Sequence, residues 1–155
     1  MPTVDSAFPR EFDTEGYTKT FAGYFNTRNY PAAISYVDEH LNRFPSNPKL
    51  FYDRAFCLIN LKNGKEAIAD LDCALALSPN SEMLKKIYSL KGVCHQSLEE
   101  IPEAVACYKE AASRGDNYSL GILATVGVIP KKTLSSSLPF DYNIPSTLQE
   151  TYEDK

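Results

Sequence analysis

The chain has no Cys-x-x-Cys pair, no glycine-rich phosphate loop, no extended basic cluster and no long apolar run. Each absence removes a class of function. A helix that crosses a bilayer needs roughly 20 mostly apolar residues. The longest uncharged stretch here, Asn117 to Pro130, has 14 residues and includes two glycines, so membrane insertion is not expected. The net charge is −4, and the densest basic spots are the pairs Lys85-Lys86 and Lys131-Lys132. Pairs of that size cannot neutralise a phosphate backbone, which excludes nucleic acid as an expected partner. The cysteines Cys57, Cys73, Cys94 and Cys107 are at least 13 positions apart. That spacing suits no zinc site, so no metal or cofactor is expected, and all four read as small buried hydrophobes of a reducing compartment. The opening "MPTVDSAFPREFDTEGY" has no apolar block and a single arginine. It reads as neither a secretory signal nor a transit peptide, and the expected location is cytoplasmic.

Reactive constellations are missing as well. The two histidines, His40 and His95, fall where helices would pack, and no serine or cysteine stands at nucleophile-elbow spacing. His95 follows Cys94, but adjacent residues on a helix point about 100° apart, which argues against a thiolate pair. Glu99, Glu100 and Glu103 read as a solvated helix start that suits the local dipole. The chain is therefore expected not to be an enzyme, and a small-molecule substrate is not expected. A cysteine-dependent enzyme using Cys94 or Cys107 is kept as one alternative.

What the sequence does contain is a repeat. Residues 17–45 and 51–79 superpose at a shift of 34, placing Tyr17 on Phe51, Tyr24 on Leu58, Ala33 on Ala67, Val37 on Leu71 and Pro45 on Pro79. A third copy follows at a shift of 37, with Tyr88 on Phe51, Ala104 on Ala67, Tyr108 on Leu71 and Ala111 on Ala74. Each copy has two stretches of helical period, predicting helices near 15–27, 31–43, 48–62, 64–77, 82–98 and 101–113. Asn29, Asn63 and Glu100 fall in the short connections. Pro31 and Pro102 suit a first helical turn, and Asn47 before Pro48 reads as an N-cap. Ala67, Leu71 and Ala74 form a thin helix edge that admits a close neighbour, and Pro79 drives Ser78 out of the helix.

With Phe51, Ala55, Leu58, Ala67, Leu71, Ala74 and Pro79, the middle copy resembles a tetratricopeptide repeat. The third copy is similar at Gly92, Ala104, Tyr108 and Ala111 but has Asp116 where the proline would stand. In the first, Phe21 replaces the small residue and His40 the second alanine, so its inner packing is expected to be looser or rotated. The resemblance implies an all-α fold, an α-solenoid of three helix-turn-helix repeats with a C-terminal capping helix and an extended tail. The divisions are an N-terminal extension at 1–13, a repeat domain at 14–127 with units near 14–47, 48–84 and 85–116 and a capping helix at 116–127, and a tail at 128–155. The capping helix is read from Leu120, Leu123 and Ala124 at helical spacing, with Gly121 and Gly127 weakening it by about 1 kcal/mol each where helical.

In this family the first helix of each repeat lines a concave groove. Here that implies Thr18, Ala22 and Phe25, then Lys49, Tyr52, Asp53, Phe56, Ile59 and Asn60, then Lys86, Leu90 and Val93. Members that bind chaperone tails hold the C-terminal carboxylate in a clamp of lysines, asparagines and an arginine. Its positions fall on Thr18, Ala22, Asp53, Lys86 and Leu90, where only Lys86 keeps the required type and Asp53 would repel a carboxylate. The implied function is a non-catalytic adaptor or scaffold that binds a partner protein's helix or peptide, within a larger complex or alone, with a chaperone-tail-binding co-chaperone as a further alternative. In the tail, Leu138, Phe140, Tyr142 and Ile144 alternate with polar residues and prolines, more apolar than a linker needs, and the segment is expected to dock.

Overall fold

A computed structural model describes residues 11–127 of the chain. Within them are seven α-helices and no strand: α1 (Thr14–Asn26), α2 (Tyr30–Arg43), α3 (Pro48–Asn60), α4 (Gly64–Ala76), α5 (Ser81–Ser97), α6 (Ile101–Ser113) and α7 (Asn117–Thr125). Residues 1–10 and 128–155, the latter including Leu138, Phe140, Tyr142 and Ile144, lie outside the described residues.

Local chemistry sets the helix ends. The side chains of Asp13, Asn29, Asn47, Asn80 and Asp116 each accept a hydrogen bond from a backbone N–H of the following first turn. Those are donors that a helix leaves without an internal partner. Asn63 and Glu100 begin α4 and α6 without a side-chain cap. The three extra residues of the third copy are absorbed between Pro79 and Tyr88, where α5 runs to 17 residues against 13 for α1 and α3.

The turns carry the repeat in backbone geometry. Arg28, Lys62 and Glu99, one in each within-repeat turn, adopt left-handed φ values of 59°, 65° and 61°. Their spacings of 34 and 37 equal the shifts at which the copies superpose. Between repeats, Ser78 has φ 53° and Gly115, 37 positions later, has φ 90°. Pro79 thus ends α4 as expected, through a left-handed turn at Ser78.

Packing follows the thin edge. Ala67 and Ala74 are fully buried in a core shared with Ala55, Leu58, Leu71, Ile87, Leu90 and Cys94, which joins α3, α4 and α5. The third unit closes around Ile101, Ala104, Val105 and Tyr108, with Ile122, Leu123 and Val126 of the α7 segment completing it. α7 buries Ser119, Gly121, Ile122, Leu123 and Ala124, so it is covered on several faces, while Leu120 is only half-buried. Gly121 lies inside the helix, and Gly127 follows its end at φ 81°, the left-handed conformation that favours glycine.

The first unit fills its interior with rings. Phe21, Tyr36, Phe44 and Phe12 pack against Tyr17, Val37 and Leu50. The His40 ring stands 4.4 Å from Tyr36 and 5.0 Å from Tyr17, and its Nδ1 lies 2.9 Å from the Tyr36 carbonyl oxygen. The α1/α2 contact is the thinnest between consecutive helices, as the loss of both small residues implies. Phe12, assigned by sequence to the extension, belongs to this cluster. The cysteine reading needs one correction: Cys57, Cys94 and Cys107 are buried, but Cys73 is exposed, because its position on α4 faces away from both neighbouring helices.

Candidate partner-binding groove

The first helices of the three units, α1, α3 and α5, stand side by side and form one face. Two cavities open on it and share Tyr52 and Phe56, which makes them a single groove. The first, of about 300 Å³, is lined by Thr18, Phe21, Ala22, Phe25, Asn26, Lys49, Tyr52, Asp53 and Phe56. The second, of about 350 Å³, adds Lys86, Ser89, Leu90, Val93, Asp116 and Tyr118.

Helical spacing explains the aromatic floor. Phe21 and Phe25 are one turn apart on α1 and stack at 5.9 Å between centroids, and Tyr52 and Phe56, one turn apart on α3, meet at 6.0 Å with a 40° tilt. Phe25 then meets Phe56 across the helix boundary at 4.9 Å with a 54° tilt, the favoured offset geometry for aromatic pairs. All four rings are half-buried and line the groove.

A carboxylate is set into this floor. Asp53 retains 5% of its surface, and its Oδ2 lies 3.2 Å from Lys49 Nζ. The ammonium is in ion-pair range, but Oδ2 receives no well-aligned hydrogen bond, and neither does the buried Tyr17 hydroxyl that faces it. Burial raises the Asp53 pKa above the ordinary carboxylate value, while Lys49, the Tyr17 hydroxyl and the more distant Lys86 oppose that rise. Burial also pushes the Tyr52 hydroxyl up to about 12, helped by the nearby Asp53 charge. The floor is therefore apolar and aromatic with one poorly satisfied acid. At its rim stands Lys86, exposed and in no ion pair with another described residue.

Of the residues the sequence assigned to the groove, Phe25, Lys49, Tyr52, Asp53, Phe56, Lys86, Leu90 and Val93 line the two cavities. Ile59 and Asn60 do not. Ile59 leans on the core of the second unit, and the exposed Asn60 donates to the Phe56 carbonyl at 2.7 Å and faces the Tyr30 hydroxyl. Both lie in the last turn of α3. Sequence reasoning missed Asp116 and Tyr118 because it read α7 only as a cap. Asp116 caps α7 as Asn47 and Asn80 cap α3 and α5, and that recurrence is the signal that α7 continues the series of groove helices.

Two further cavities lie away from the groove, one of about 410 Å³ at the turn Phe44–Pro48 and one of about 350 Å³ around Arg54, Asp38 and Asp70. No group of three or more metal-binding side chains occurs among the described residues, and no described helix is long and apolar enough to cross a membrane. At the thiols proposed for the enzymatic alternative, burial pushes Cys94 up to about 12 and raises Cys107 as well, the opposite direction from the lowered pKa of a nucleophilic cysteine.

Comparison with known proteins agrees with the helical architecture. No protein-family model matches the chain. It is 33% identical over 94 residues to a DnaJ homolog subfamily C member 7 homolog of Dictyostelium discoideum, covering 58% of this chain and 17% of the relative. It is 28% identical over 88 residues to Hsp70-Hsp90 organizing protein 3 of Arabidopsis thaliana, covering 57% of this chain and 15% of that protein. The chain thus spans about a sixth of the length of these curated relatives. Among solved structures, the first TPR of Spaghetti (RPAP3) bound to HSP90 peptide SRMEEVD superposes with a TM-score of 0.58 at 26% identity, covering 64% of this chain and 76% of that one.

Proposed function

From the premise that the chain is a tetratricopeptide-repeat protein, we propose that it is a non-catalytic adaptor whose groove holds an apolar segment of a partner protein, within a larger complex or alone, and does not clamp a C-terminal carboxylate. The observation that carries the reading is Asp53. A tail such as the SRMEEVD peptide bound by the RPAP3 domain would bring negative charge onto a floor that already buries a carboxylate beside Tyr52 and Phe56. Of the clamp positions only Lys86, at the rim, carries a positive charge; Thr18, Ala22 and Leu90 supply none, and Lys49 is already engaged by Asp53. Like charges in a desolvated site repel far more strongly than in water. An apolar segment meets the opposite situation: each aromatic or aliphatic side chain it seats against the floor contributes about 1.5–3 kcal/mol.

A cytoplasmic location belongs to the same proposal, supported by three cysteines packed as uncrosslinked core residues. The experiment has two arms. The SRMEEVD peptide is titrated against the full chain, and partners are cross-linked from extract with the wild type and with a Tyr52→Glu groove variant. The reading expects no saturable binding of the peptide, and cross-links that disappear in the variant. Tight, salt-sensitive binding of the peptide to the wild type would overturn it in favour of a co-chaperone that binds chaperone tails.

A further inference from the structure

We propose that in the free chain the groove is filled by the chain's own residues 138–144, Leu-Pro-Phe-Asp-Tyr-Asn-Ile, and that a partner binds by displacing them. The inference rests on the reading of the groove as a protein-binding surface and names what controls access to it.

Length is the first argument. The last described residue, Gly127, is nine positions beyond Tyr118, which stands at the groove. At 1.5 Å per residue, the helix carries the chain only about 14 Å from the rim. Between Gly127 and Leu138 there are eleven steps, which span at most about 36–40 Å when fully extended. That contour length suffices to bring Leu138 back to the groove. A tether of this kind supplies an effective concentration in the millimolar range. A segment with a dissociation constant of about 100 μM would then be docked about nine-tenths of the time.

The second argument is shape. Leu138 and Ile144 each precede a proline, which biases them toward extended backbone. In an extended segment the side chains of Leu138, Phe140, Tyr142 and Ile144 share one face, about 6.7 Å from one to the next, and span about 20 Å. Helices packed at roughly 8–10 Å present a floor of about the same width across α1, α3 and α5. Four apolar anchors thus match in number and span the aromatic side chains Phe21, Phe25, Tyr52 and Phe56 of the floor.

The third argument is charge. The residues between the anchors include Asp141, opposite in charge to Lys86, which is exposed at the rim and in no ion pair with another described residue. The segment has no terminal carboxylate to set against Asp53.

The absence of tryptophan from the chain makes the test direct. The variant Phe140→Trp places one fluorophore in the segment of the full chain. With the segment docked, its emission is expected at short wavelength and shielded from acrylamide. Phe56→Glu in the floor, or the milder Lys86→Glu at the rim, should return it to the emission of an exposed indole while far-UV helicity stays unchanged. Excess synthetic peptide of residues 136–147 should do the same. Exposed-indole emission in the starting variant, or no response to either groove substitution, overturns the proposal. So does a signal lost on dilution, which would mean that a second copy supplies the segment. If the fluorophore is exposed while Tyr52→Glu still abolishes partner cross-links, this inference fails and the groove reading stands. If the fluorophore responds and the cross-links do not, the segment docks and the groove reading fails.

Discussion

The ring of Tyr108 lies against Gly92: a β-carbon at Gly92 would stand 2.6 Å from Tyr108 Cε1 and 2.7 Å from Cδ1. The ring cannot swing aside, because Tyr108 is fully buried and its hydroxyl donates to Gln96 Oε1 at 2.6 Å. Gly92→Ala therefore sets a helix-propensity gain of about 1 kcal/mol against an overpacking cost of about 1–3 kcal/mol. Net destabilisation is expected in the wild-type background. In a Tyr108→Leu background the clash is gone, and the same substitution should be neutral or stabilising. Equilibrium denaturation of the four combinations measures the coupling, and additive effects would show that the contact is not the constraint.

Arg54 ties three helices together. Its Nε and Nη2 donate to both oxygens of Asp70 on α4 at 2.9 and 2.7 Å, while Nη1 donates to Asp38 on α2 at 2.9 Å. The two acids are not equivalent, since the Asp70 side chain is 9% exposed and that of Asp38 is 50% exposed. Arg54→Met should cost about 2–3 kcal/mol, because it strands a buried carboxylate. Asp38→Ala should cost less than about 1 kcal/mol and lose most of that effect in high salt. Urea denaturation at two ionic strengths separates the arms.

Much of this architecture was legible in the sequence, and for a physical reason. Alanine and glycine at Ala67, Ala74, Gly92 and Ala104 are demanded by close helix approach, and their recurrence fixes the repeat before any coordinate does. The groove was readable only through that register. Positions on the first helix of each unit follow from it, but whether a side chain there turns to the groove or, like Ile59, to the core of its own unit is not decided by periodicity. The same applies to Cys73: composition favours burial of a cysteine, whereas the face of α4 on which it stands decides its exposure. The left-handed turns at Arg28, Lys62 and Glu99 were invisible because none is a glycine, the residue type that ordinarily marks such a conformation.

The thiols should separate cleanly. Burial pushes Cys57 and Cys94 up to about 12 and raises Cys107, while Cys73 is exposed. Alkylation depends on the thiolate and on access. Brief treatment of the native chain with iodoacetamide near pH 8 is expected to give a single adduct at Cys73, and all four cysteines should react in denaturant. Intact-mass spectrometry with peptide mapping reads the result. Rapid native labelling of Cys94 or Cys107 would mean that their packing opens readily and would restore the enzymatic alternative.

Asp53 sets a pH dependence opposite to that of an ordinary surface ion pair. Its carboxyl holds its proton more tightly in the folded chain, because lost hydration outweighs the attraction of Lys49. Between the unfolded value of about 3.9 and the raised folded value, the folded state binds more protons, so this group's contribution to stability falls as pH rises through that window. Above the window the chain carries the whole penalty. Asp53→Asn keeps the shape and removes the charge, so the variant should be more stable than the wild type at pH 7, with the difference shrinking as pH falls through that window and gone below about 4. Denaturation curves of the two proteins across that range test it, since every other titrating group is common to both. A variant less stable at pH 7 would show that the Lys49 pair outweighs desolvation. The substitution also removes negative charge from the groove floor, so the gain in stability should be accompanied by stronger binding of the SRMEEVD peptide than the wild type shows.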